Sequence, residues 1–169
     1  DDENSKVVEI CEVLSRSNVS QDDIEVTTTG AAALQALKRE YFDLLIVDMY
    51  LPSRIGEQPS LSGGIDLLKK INRTDAIKLP EYIMGLTSNA EAMALSLDDF
   101  GTSSWFLEEV GPSKSGWKLK LMERVRYLRA REEISSNPKS SKPTSTERPR
   151  CDIVFVCALL EPELKELHA

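Results

Sequence analysis

"FDLLIVDMYLP", residues 42–52, decides how this chain is read. Leu44 to Val47 form an unbroken apolar run that ends on Asp48, and the chain turns at Pro52. Such a run is the mark of a strand covered on both faces, as strands of a parallel sheet are. A carboxylate in an apolar setting is unfavourable unless something pairs with it. Asp48 is therefore either a strand-end residue capping the next turn or an acid held there for chemistry.

Working outward, strands and helices alternate. "ENSKVVEICEVLSRS" carries apolar residues at helical spacing, and Asn4 or Ser5 can cap its start. "IEVTTTG" (24–30) is rich in β-branched residues and ends on a glycine, so it reads as a strand and turn, and "AAALQALKREY" as a helix. "GGIDLLKKINR" (63–73) is a second amphipathic helix, and "EYIMGLTS" (81–88) a second apolar strand. "AEAMALSLDDFG" reads as a helix stopping at Gly101, and "SSWFLE" as a short strand. "WKLKLMERVRYLRAREE" puts Leu121, Val125 and Leu128 on one face and basic residues on the other. This order predicts βαβ units and a parallel sheet.

The bulk properties narrow the class. The 169 residues are 41% hydrophobic and 29% charged, which fits a globular domain. A net charge of -7 argues against a general nucleic-acid binder, and the basic stripe of the last helix reads better as a solvated or dimer-forming face. Cys11, Cys151 and Cys157 have neither disulfide-framework nor zinc-site spacing. No apolar stretch is long enough to span a membrane and no signal-like start is visible, so a cytoplasmic location is expected. His168 is the sole histidine, at the very end, which excludes a Ser-His-Asp hydrolase in this segment. From 135 to 150, "SSNPKSSKPTSTERPR" holds five Ser, two Thr and three Pro, the composition of a linker. Beyond it "CDIVFVCALLEPELKEL" reads as a fresh strand, turn and helix start. The expected organisation is a domain over 1–133, a linker over 134–150, and the opening of a second domain over 151–169. Both ends read as cuts through something larger.

In open α/β sheets, ligands gather at the carboxyl ends of strands. The residues predicted there are Asp48, Thr87 with Ser88, and Glu108, with Asp1 and Asp2 entering the first helix. Carboxylates converging near a hydroxyl would make an oxygen-only site suited to magnesium, and a carboxylate can serve as a covalent nucleophile. Blander readings stand beside these: a solvated terminus for Asp1 and Asp2, an N-cap for Thr87-Ser88, a core aromatic for Trp105. A dehalogenase-like phosphatase would need a second Asp two residues past Asp48, where Tyr50 stands.

In order and spacing, "DDE", "LLIVDMYLP", "GGIDLLKKI", "MGLTS" and "FGTSSWFLE" resemble the successive motifs of a response-regulator receiver domain. The resemblance implies a flavodoxin-like, doubly wound α/β fold and a two-component phosphorelay role. It implies Asp48 as the phosphoacceptor, with Mg2+ held by Asp1, Asp2, Asp48 and the Tyr50 carbonyl. Thr87 would be the hydroxyl that follows the phosphoryl group and Trp105 the switch aromatic. A histidine kinase or phosphotransfer protein would be the donor, and a homodimer is a candidate state.

Three features depart from the pattern. Glu108 stands where receivers carry a lysine at the end of the last strand, Lys114 being a nearby substitute. The loop from Pro52 to Gly64 is long. The first strand, central in that fold, is not found ahead of Asp1. If so, the domain is either a phosphorylated receiver or a pseudo-receiver acting through protein contact alone. The segment 151–167 is similar to the opening of the purine nucleoside phosphorylase and nucleosidase superfamily. That similarity implies a nucleoside-cleaving effector with Glu163, or alternatively Glu161, as an early site glutamate. Both acids also read simply as helix-start residues.

Overall fold

The computed structural model describes residues 2–101, 105–111, 113–135 and 153–156. In chain order the elements are α1 (Asp2–Arg16), β1 (Ile24–Thr27), α2 (Gly30–Arg39), β2 (Leu44–Asp48), α3 (Gly63–Asn72), β3 (Tyr82–Thr87), α4 (Ala90–Gly101), β4 (Phe106–Glu109), α5 (Gly116–Ser135) and β5 (Ile153–Val156). The alternation expected from sequence is present. Helix α5 runs through Ser135, so the first two residues assigned to the linker are its last turn.

Local causes are plain at several elements. Thr29 caps α2, its Oγ1 accepting from the Ala32 N–H at 3.2 Å. Asn89 caps α4, its Oδ1 accepting from the Glu91 and Ala92 N–H groups at 3.0 Å each. The N-cap is thus Asn89, not the Thr87-Ser88 pair considered from sequence. On α5, Trp117, Leu121, Val125 and Leu128 recur at helical spacing and are all buried.

The strands form one five-stranded parallel sheet in the order β1-β5-β2-β3-β4. Helices cover both faces. Leu44 and Ile46 of β2 join a core with Val7, Ile10 and Leu14 of α1 and the buried stripe of α5. Their alternate neighbours Leu45 and Val47 join a second core with Leu37 of α2 and Leu67, Leu68 and Ile71 of α3. Every residue of β2 is buried, which is why its sequence does not alternate. Burying each Leu, Ile or Val of this kind contributes about 1.5–3 kcal/mol.

The last strand is the unexpected one. From sequence Ile153–Val156 is expected to open a second domain, yet here these residues are an interior strand of this sheet, between β1 and β2. Ile24 and Leu44 both register against Ile153, and Thr27 and Val47 both against Val156. The cause is hydrogen bonding. β1 and β2 face each other across a one-strand gap, and their facing N–H and C=O groups need a partner there. A short run of Ile, Val and Phe suits a strand flanked by neighbours on both sides, and Ile153 is fully buried. The rest of 151–169, with Cys157, Glu161 and Glu163, lies outside the described residues.

Candidate functional site

The site grows from the carboxyl end of β2. Asp48 is buried, 5% exposed. Its Oδ1 accepts from the Tyr50 N–H at 3.1 Å as the chain turns away from the strand. Its Oδ2 accepts from the Lys6 ammonium at 2.6 Å, and both side chains are almost wholly enclosed. Burial is the largest influence on Asp48 and pushes its carboxyl above the ordinary carboxylate range. Lys6 and the Tyr50 and Met49 N–H groups pull the other way without overcoming it. The carboxylate posed as a question by the sequence is therefore tolerated through an ion pair and a turn.

The neighbouring strand fixes the rest. Asp48 registers against Leu86 of β3, so Thr87 stands one position further on, at that strand's end. Met49 N–H donates to the Leu86 carbonyl at 3.1 Å, and Val110 N–H to the Thr87 carbonyl at 2.9 Å. Thr87 is buried, and its Oγ1 accepts from the Asn89 N–H at 3.1 Å. Gly63 and Gly64, at the start of α3, let the long loop return to this corner. A Cβ on Gly63 would lie 1.9 Å from the Leu51 carbonyl oxygen, and one on Gly64 2.6 Å from that of Asp48. No residue but glycine fits such an approach. The Gly64 N–H donates to the Met49 carbonyl at 3.1 Å.

The other expected residues sit further out. Trp105 is half-buried and meets Phe100 edge-on, with ring centroids 5.7 Å apart, in the core that α2, α3 and α4 share. Glu108, in the lysine position, is paired with Lys120 of α5. Lys114, the candidate substitute for that lysine, is paired with Glu109 at 3.0 Å instead. Asp1 lies outside the described residues, as does the side chain of Asp2. Among the described residues no group of three or more His, Cys, Asp or Glu is arranged to hold a metal ion. With an ammonium on Oδ2, the described donor set at Asp48 does not fit a divalent cation as it stands.

Lys6 is what the sequence reading missed. A signal was available, because Lys6, Ile10 and Val13 fall at the spacing of one helix stripe, and Ile10 and Val13 are core residues. A cation in register with an apolar stripe must either reach solvent or find a buried acid.

Among the described residues no helix is long and apolar enough to cross a membrane. No family model matches the chain. No solved structure matches it. The chain is similar to an uncharacterized protein, y4jS, of Sinorhizobium fredii (strain NBRC 101917 / NGR234), with 62% identity over 169 residues. That match covers 100% of this chain and 41% of the relative's length.

Proposed function

We propose that this chain carries a receiver-type regulatory domain, flavodoxin-like in topology, in which Asp48 accepts a phosphoryl group. The observation that carries the reading is a buried carboxylate at the carboxyl end of a fully buried strand, one register position from the Thr87 hydroxyl. In the proposed step a carboxylate oxygen of Asp48 attacks phosphorus. The P–N bond of a phosphohistidine on a kinase or phosphotransfer protein breaks, the imidazole keeps the electron pair, and an acyl phosphate forms. Thr87 would turn its hydroxyl toward a phosphoryl oxygen, and Trp105, half-buried beside Phe100, would report the change.

Intact mass of the chain after treatment with acetyl phosphate tests it. One added phosphate, absent in Asp48→Asn, is the expected result; no addition under any divalent-cation concentration overturns the reading.

A second reading has its own observation. Glu108 is turned to Lys120 and Asp48 is already neutralised from within, so a domain that signals by contact would need no phosphate. Under it Glu108→Lys changes neither phosphate uptake nor association, whereas a phosphorylated receiver should gain phosphoryl lifetime from that change. The effector half of the proposal, a nucleosidase-type domain with Glu163, rests on the similarity of 151–167 alone, and the strand Ile153–Val156 within that stretch pairs with β1 and β2 of the described sheet, so such a domain would have to begin beyond it. Its test is nucleoside cleavage by a chain as long as the Sinorhizobium relative, lost in Glu163→Gln.

A further inference from the structure

Where α1 ends against α5, the surface opens into a cleft of about 390 Å³. Arg16, Ser17 and Asn18 form one wall, and α5 supplies the other through Arg126 and Arg129. No acid is among its lining residues, in a chain whose net charge is -7. Elsewhere on α5 basic side chains are spent on acids, Lys118 on Glu9, Lys120 on Glu108 and Arg131 on Glu81. Among the described residues Arg16 and Arg126 have no ion-pair partner, and both are exposed.

The carboxyl end of a helix is ordinarily a poor place for an anion, because its last carbonyls carry partial negative charge. Here Arg129 offsets that charge. Its Nη1 donates to the Ser17 carbonyl at 2.7 Å and to the Asn18 carbonyl at 2.9 Å. A guanidinium carries more donors than those two bonds use. The two walls are held by the core beneath them, where Leu14 of α1 meets Leu121, Val125 and Leu128 of α5.

We infer that this cleft binds a small phosphate-bearing anion of the diphosphate kind between Arg16, Arg126 and Arg129. The fork of a guanidinium matches phosphate oxygens two at a time. One phosphate brings about two negative charges, so three guanidiniums are better matched by two linked phosphates. The volume lies in the range of small-molecule sites. Acidic groups far from the cleft weigh little, since charge is screened over about 8 Å at physiological salt. A long polyanion would instead run onto acidic surface, so a small ligand fits where nucleic acid does not. The inference is independent of the reading of Asp48, because Lys6 and Arg16 stand toward opposite ends of α1.

Calorimetric titration of the full chain with sodium pyrophosphate at about 0.15 M salt tests this. The proteins compared are the wild type, Arg16→Gln, Arg126→Gln and Lys70→Gln. Lys70 is an exposed lysine of α3, which packs in the other core, so its loss removes the same charge elsewhere. Saturable binding should weaken about tenfold or more in each arginine variant and stay unchanged in Lys70→Gln. No saturable binding by the wild type, or equal weakening in all three variants, overturns the inference. Adenosine triphosphate in place of pyrophosphate separates the sources of the diphosphate. Tighter binding than pyrophosphate supports a nucleotide, and equal or weaker binding supports the free diphosphate. Citrate or a duplex oligonucleotide that binds more tightly than either, with the same dependence on the arginines, overturns the assignment.

Discussion

Asp48 and Lys6 depend on each other because neither has water to fall back on. Breaking a buried ion pair from one side leaves an uncompensated charge and costs about 3–5 kcal/mol. Lys6→Met and Asp48→Leu should each destabilise the fold by about that amount, while the double substitution should come out between neutral and stabilised. Chemical denaturation of the four proteins measures the coupling, and additive single effects would show that the pair is not formed. The pH response follows from burial. Asp48's carboxyl lies above its ordinary range, so the folded chain keeps a proton that the unfolded chain releases. Stability therefore falls as pH rises from the ordinary carboxylate range through the raised value. Asp48→Asn should flatten that part of the curve in denaturation midpoints taken across pH. Asp48 and Thr87 were legible because strand ends are legible, through apolar runs that stop abruptly. Lys6 was not, because its meaning depends on an acid 42 residues away.

At the scale of elements, the tightest geometry is the entry to α3. A methyl group at Gly63 would collide with the Leu51 carbonyl, so Gly63→Ala should lose about 1–3 kcal/mol as the backbone shifts to make room. A thermal melt unchanged from wild type would mean that the loop does not approach so closely. The interior strand β5 offers a sharper test. With β1 on one side and β2 on the other, the amides of Ile153 to Val156 should exchange with solvent as slowly as those of Leu44 to Val47. Unprotected amides at 153–156 would show that this segment belongs elsewhere. Helix and strand positions, the parallel sheet and the two covered faces were all readable from apolar periodicity. The place of β5 was not, since four apolar residues after a polar stretch fit either a new domain or a vacant lane in an old one. Only the unmet hydrogen bonds of β1 and β2 distinguish the two.

Across the whole molecule, the acidic balance and the ion pairs between α5 and the sheet side give a domain whose basic stripe is partly spent internally. Lys118 pairs with Glu9 at 2.8 Å, and Arg129 donates to the Ser17 carbonyl at 2.7 Å, so that stripe helps to fasten α5 to α1. The long loop after Pro52 is organised on a different plan. It is pinched at its base, where Ser60 N–H donates to the Leu51 carbonyl at 3.2 Å and Gly30 N–H to the Pro52 carbonyl at 3.0 Å. Beyond the pinch Ile55 is 75% exposed and Gly56 takes a left-handed φ of 81°. The Glu57 N–H donates to the Arg54 carbonyl at 3.1 Å within the tip, and among the described residues no backbone hydrogen bond ties 54–59 to the Asp48 corner, although the loop leaves and re-enters the fold beside it. Lineages descended from a common ancestor could lengthen, shorten or rewrite 54–59 while the acid and its neighbours stay put, so divergence in whom this domain meets need not disturb what it does.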